Sequence, residues 1–204
     1  MSQLVAEHLL DKACVELSPS APFQYASGLK GPIYSDNRKL LSYVSSRDAV
    51  VNEFIQLIEN EDYDAIVGLA TGGIAPAAII ADRLKKPMLY VRSKAKGHGK
   101  SNQIEGDYSG VKQVVLVEDL VNQGSSLEKA IIALNEAGLT IKKIYCIVSY
   151  GTRRSLEILK KYNLNLISLT NLDEIISLAV QKELINPSEQ KLIEKWREDP
   201  ENWS

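Results

Sequence analysis

Leu4, Val5, His8, Leu9 and Ala13 recur at helical spacing, which predicts an amphipathic helix over residues 2–17. A turn-rich stretch follows, SPSAPFQYASGLKGPIYSDNRK, with three prolines and two glycines between short β-prone pieces. Ser46 then precedes a second helical pattern through Val50, Val51, Phe54, Ile55 and Ile58. Beyond it the rhythm changes to strand, helix, strand. Residues 65–70 form a short apolar run, as expected of a strand buried on both faces. Residues 74–84 read as a helix, 88–91 as a strand and 114–117 as the most apolar strand. A helix over 127–137 stops at Gly138. A strand at 144–148, a helix at 155–162 and a strand at 166–169 complete the alternation. From Leu172 onward, two helices are separated by Pro187.

Strands alternating with helices predict an α/β fold with a mostly parallel central sheet flanked by helices. Ligands of such sheets bind beyond the carboxyl ends of the strands. Chemistry is therefore expected in the loops after Ala70, Val91, Val117 and Val148. Residues 94–110, KAKGHGKSNQIEGDYSG, form a long, polar, glycine-rich segment of the kind that is functional or mobile.

Composition narrows the classes. The 204 residues carry 24 Lys+Arg and 26 Asp+Glu, a formal net charge of −2. That balance argues against a nucleic-acid binder. Cys14 and Cys146 are the only cysteines, too few for a disulfide scaffold and in keeping with a reducing cytosol. Both fall on apolar elements and read as packed thiols. His8 and His98 are the only histidines, so a multi-histidine metal site is excluded. His8 reads as a helix-face residue, and Trp196 and Trp203 as packing for the C-terminal helix. The N-terminus lacks the basic region of a signal peptide. The longest uncharged window, Ala65–Ala81, is short and broken by glycines and a proline, so a membrane span is not expected. A cytoplasmic location follows as an expectation.

The strongest chemical signal is VVLVEDLVNQGSS, residues 114–126. An apolar strand ends in adjacent acids, Glu118 and Asp119, and a small hydroxyl-rich turn then opens a helix. Free N–H groups at a helix N-terminus, with a glycine before them, make an anion cradle. Paired carboxylates can accept hydrogen bonds from vicinal sugar hydroxyls or sit near Mg2+. A phosphate cradle beside a diol clamp suits a ribose 5-phosphate. The same spacing also fits a serine N-cap after an acidic turn. No G-x-x-x-x-G-K-[ST] motif and no G-x-G-x-x-G after a strand is present.

Residues 118–126 resemble the phosphoribosyl-diphosphate signature of type I phosphoribosyltransferases. Three further segments are similar to orotate phosphoribosyltransferases: ASGLKGPIYSDNR at 26–38, GLATGGI at 68–74, and YVRSKAKGHG at 90–99 with NQIEG at 102–106. The closing EDPENW, 198–203, looks like the short bacterial form. The resemblance implies one type I phosphoribosyltransferase-like domain over residues 1–204. Its small hood would form from roughly residues 1–45 plus C-terminal elements, and it would carry a mobile active-site loop. The implied reaction converts orotate and 5-phosphoribosyl 1-diphosphate to orotidine 5′-monophosphate and diphosphate. Mg2+ would be held mainly by the substrate diphosphate. Catalysis would rest on Lys96, His98 and Asp119. Glu118 and Asp119 would hold the ribose diol, Asn122, Gln123, Gly124, Ser125 and Ser126 would form the 5-phosphate loop, and Leu120 and Val121 would also bind 5-phosphoribosyl 1-diphosphate. Asn122 would also touch orotate. Arg92, Lys96 and His98, with Thr71 and Gly72, would meet diphosphate. The family's loop reaches into a neighbouring subunit, implying a homodimer with shared sites. Residues alone also allow Lys94, Lys96 and Lys100 to be a solvated basic patch.

Several positions depart from the family pattern. Asn122 and Gln123 replace hydroxyl residues, Ser125 replaces a glycine, Gly31 stands where serine is usual, and Ser93 where many members carry lysine. After the fourth predicted strand the chain reads Ser149-Tyr150-Gly151-Thr152, where some relatives place an orotate-binding arginine. Two rival readings follow: transfer to another base, and a ligand-sensing regulator on the same fold.

Overall fold

The computed structural model describes residues 3–25, 28–93 and 103–203. In chain order the elements are α1 (Gln3–Asp11), β1 (Val15–Leu17), β2 (Phe23–Gln24), β3 (Lys30–Gly31) and β4 (Ile33–Ser35), then a 3-10 turn at Asn37–Ser42. Next come α2 (Val44–Ile58), β5 (Ala65–Leu69), α3 (Ile74–Leu84), β6 (Met88–Val91), β7 (Ile104–Glu105) and β8 (Gln113–Val121). The chain ends with α4 (Ser125–Glu136), β9 (Thr140–Ser149), α5 (Arg153–Lys161), β10 (Leu166–Asn171), α6 (Leu172–Gln181) and α7 (Pro187–Glu198).

The main sheet has strand order β10-β9-β8-β5-β6-β7. Every pairing is parallel except β6 with β7. Side chains alternate between its faces, and both faces are covered. Ile66, Val115 and Val117 pack into one cluster with α1, α2, α3 and α6. Ala65, Val67, Val114 and Leu116 pack into the other with α4 and α5. This explains why β5 and β8 read as unbroken apolar runs rather than alternating ones. Cys14 and Cys146 are buried and unpaired. Trp196 is buried edge-on against Tyr150, and Trp203 packs against the same cluster. Among the described residues no helix is long and apolar enough to cross a membrane.

Four expectations change. The first helix ends at Asp11, not near residue 17. Cys14 N donates to Leu9 O at 2.8 Å and Ala13 N to Leu10 O at 3.0 Å, the paired closure of a Schellman end, with Ala13 in the left-handed region at φ 48°. Val15–Leu17 is then free to pair with β4. Ser46 lies buried inside α2 rather than before it, sharing a 3.1 Å hydrogen bond with His8 Nδ1. Strand β8 runs on through both acids, because β9 pairs with it as far as Val121–Ser149. Pro187 opens α7 instead of separating helices, behind a capping box made by Asn186 and Glu189.

The small pairs β1–β4 and β2–β3 lie outside the main sheet. They deliver the N-terminal segment to the carboxyl ends of its strands. Asn37 Nδ2 donates to Asp119 O at 3.0 Å, and Ser35 and Tyr150 share a 2.7 Å hydroxyl hydrogen bond.

Candidate active site

The site assembles at the carboxyl ends of β5, β6 and β8, where an open α/β sheet presents its ligands. After β5 the chain turns through Ala70, Thr71, Gly72 and Gly73 into α3, with a cis peptide between Ala70 and Thr71. The turn lies directly against β8. A Cβ at Gly72 would overlap the Asp119 carboxylate, and one at Gly73 would overlap Val117 O. Glycine is needed here for close approach rather than for an unusual backbone angle.

Glu118 and Asp119 lie side by side on β8 but differ in environment. Glu118 is 6% exposed, whereas Asp119 is half-buried. Glu118 Oε1 accepts a hydrogen bond from Asp119 N at 2.9 Å. Burial pushes the Glu118 carboxyl well above the usual carboxylate range, and the neighbouring Asp119 adds to the push. Cys146, opposite Glu118 on β9, has its thiol raised by burial and then by the two acids. It is a packed thiol, not a nucleophile.

Beyond the acids, one cleft of about 210 Å³ is lined by Glu118 and by every residue from Leu120 to Leu127. Gly124 caps α4 with φ 76°, a left-handed conformation that glycine tolerates best. Ser125 is the first helical residue. The departure at Ser125 therefore places no side chain on a left-handed backbone. The first N–H groups of α4 lack intrahelical partners and open toward this turn. Thr152 Oγ1 donates to Asn122 O at 2.7 Å and holds the turn from the α5 side. Asn122 Oδ1 is buried without a partner among the described residues.

Arg92 follows β6. Its N–H donates to Gln103 O at 2.8 Å, and its guanidinium pairs with Glu105 at 3.3 Å. Arg92 and Ser126 line one further cleft with Ala70, so the turn after β5, the strand-end arginine and the start of α4 meet. Lys96 and His98, with Lys94 and Lys100, lie outside the described residues. No group of three or more potential metal-ligating side chains occurs among the described residues. The carboxylate pair fits a cation held chiefly by substrate oxygens rather than by a protein cage.

Sequence reasoning gave no role to Asn37, Arg38, Ser35 or Tyr150. Asn37 is 4% exposed and touches the Asp119 backbone, and Arg38 lines a cavity together with Gly72 and Asp119. The available signal was the segment at 26–38, whose last residues are these.

The phosphoribosyl transferase domain model matches residues 46–182. The chain is 41% identical over 201 residues to the orotate phosphoribosyltransferase of Listeria monocytogenes, covering 98% of this chain and 96% of that one. It is 42% identical over 207 residues to the enzyme of that name from Bacillus pumilus, covering 100% and 98%. The crystal structure of orotate phosphoribosyltransferase from Aeropyrum pernix superposes with a TM-score of 0.76 at 31% identity, over 87% of this chain and 98% of that one. The chain belongs to the orotate phosphoribosyltransferase family.

Proposed function

We propose that the protein transfers the 5-phosphoribosyl group from 5-phosphoribosyl 1-diphosphate to orotate. The bond between the anomeric carbon and a diphosphate oxygen breaks. A bond from that carbon to an orotate ring nitrogen forms, and the nitrogen's proton leaves to solvent. The observation that carries this reading is the contact of Gly72 with the Asp119 carboxylate beside the α4 cradle. One ligand lying across these features would present diphosphate to the first, a sugar diol to the acids and a 5-phosphate to the third.

In this reading Glu118 and Asp119 accept hydrogen bonds from the ribose hydroxyls and stabilise positive charge developing at the ring. Leu120 to Ser126 hold the 5-phosphate, largely through backbone N–H groups. Arg92, Thr71 and Gly72 receive diphosphate. Lys96 and His98 supply cationic donors to the leaving group. Asn122 Oδ1, a buried acceptor without a partner among the described residues, suits an N–H of the base. Mg2+, bound mainly through diphosphate, would neutralise charge on the leaving group, with Asp119 the half-buried carboxylate at hand.

The test follows the fall in orotate absorbance with 5-phosphoribosyl 1-diphosphate and Mg2+. Consumption dependent on both is expected. Asn122 and Gln123 motivate a second reading, transfer to another base. Running uracil and the purine bases in parallel decides it. Turnover of one of these with orotate untouched would overturn the orotate assignment.

A further inference from the structure

We propose that Arg38 is a further substrate-binding residue, a pre-positioned cation for the diphosphate end of 5-phosphoribosyl 1-diphosphate. The proposal rests on the phosphoribosyl-transfer reading above and deepens it.

Arg38 stands in the 3-10 turn that follows β4. Its two sequence neighbours set its position. Asp36 accepts a hydrogen bond from Arg38 Nε at 2.6 Å. Asn37 ties the same turn to β8 through the Asp119 carbonyl. Arg38 thus lines the cavity that also contains Gly72 and Asp119. The bond to Asp36 uses Nε alone, so the two terminal nitrogens have no partner among the described residues. A guanidinium held by one edge, with its other donors open, is prepared for a phosphate oxygen pair.

The pair with Asp36 does not explain itself as a stabilising contact. Arg38 is 57% exposed, and exposed ion pairs contribute little to folding. The charge around it explains more. The acidic pair on β8 repels a substrate bearing several phosphate charges unless cations stand nearby. Arg92 is one such cation but is shared with Glu105. Gly72 belongs to the turn where diphosphate is expected, and Arg38 shares a cavity with Gly72, whereas the 5-phosphate cleft is lined by Glu118 and Leu120 to Leu127 without it.

Calorimetric titration with Mg2+ tests this without turnover. The ligands are 5-phosphoribosyl 1-diphosphate, inorganic diphosphate and ribose 5-phosphate. The proteins are the natural chain, Arg38→Ala, Arg38→Lys and Asp36→Asn. Arg38→Ala should weaken the two diphosphates about tenfold, the scale of one charged hydrogen bond discounted for exposure. Ribose 5-phosphate affinity should stay unchanged, which a general structural defect would not allow. Arg38→Lys should recover part of the loss, and Asp36→Asn should show a smaller loss of the same kind. Unchanged diphosphate affinity in Arg38→Ala would overturn the proposal. So would an equal loss for ribose 5-phosphate. A protein that binds the diphosphates through Arg38 yet leaves orotate unconsumed would overturn the base assignment alone.

Discussion

Glu118 illustrates how one residue can be placed against its own stability. Its carboxyl is buried, which disfavours the charged form, and Asp119 next to it disfavours that form further. The folded-state pKa therefore lies above the unfolded value, near 4.5. As pH rises past that value the unfolded chain releases the proton first, while the folded chain still holds it. Stability is thus greatest below the unfolded value and falls as pH rises through the folded one. Glu118→Gln removes this term. The variant should melt higher than the natural chain at pH 8, and the difference should vanish as pH approaches the unfolded value. Its kcat/KM should fall about tenfold or more above the folded-state pKa, where an amide oxygen replaces an ionised carboxylate facing a cationic transition state. Melting curves across the pH range check the first part and initial rates the second. A Glu118→Gln variant that melts lower at pH 8 would mean the buried carboxyl is satisfied by contacts beyond those described.

At the scale of elements, legibility followed the chemistry of element ends. The α4 boundary was readable because Gly138 carries the left-handed turn, with Leu139 N closing on Leu134 O at 2.9 Å. The end of α1 uses the same geometry, but the left-handed residue is Ala13, which carries no such signal. Periodicity then ran on into β1. Likewise β8 was truncated at its acids, because charge reads as loop unless the partner strand is known. The antiparallel β7 was hidden within a polar segment for the same reason: two residues beside β6 have no periodicity to detect. The turn that opens α4 was legible as a glycine and hydroxyl-rich break before a helix, since it depends on local order of residues, whereas Asn37 and Arg38 reach β8 only through tertiary placement. Gly124 and Gly138 permit a controlled comparison. Both have positive φ, 76° and 78°, so alanine at either should cost about 1–2 kcal/mol. At Gly138 a Cβ meets open space, whereas at Gly124 it meets Ile158 Cδ1 at 3.1 Å beside the turn that opens α4. Gly138→Ala should lose stability and keep its KM for 5-phosphoribosyl 1-diphosphate. Gly124→Ala should lose as much or more stability and raise that KM. Equal KM values in the two variants would show that the turn does not hold the 5-phosphate.

At the scale of the whole molecule, the question is whether one chain completes a site. Lys96 and His98 belong to residues 93–102, and the two ends of that segment are clamped together. Arg92 N donates to Gln103 O, and Gln103 Nε2 returns a hydrogen bond to Arg92 O at 3.2 Å. The clamp stands beside β7, the edge of the sheet. Out and back, the length of ten residues allows at most about 18 Å from it. An excursion starting at a sheet edge can serve a neighbouring chain as readily as its own, and the family resemblance favours the neighbour. We propose a homodimer in which each site takes Asp119 from one chain and Lys96 from the other. Lys96→Ala alone should lower kcat by about 10²–10³, since its donor meets charge that develops on the leaving group. Asp119→Asn should be similarly weak. Mixing the two inactive proteins distinguishes the arrangements. In a hybrid dimer one site unites both defects, while the other pairs the intact Asp119 of one chain with the intact Lys96 of its partner. After complete random exchange of equal amounts, half the dimers are hybrids, so about a quarter of all sites should be whole. Recovery toward a quarter of natural activity is therefore expected, rising with time as subunits exchange. Hybrids demonstrated by mass spectrometry with no recovered activity would place Lys96 and Asp119 of each site in the same chain.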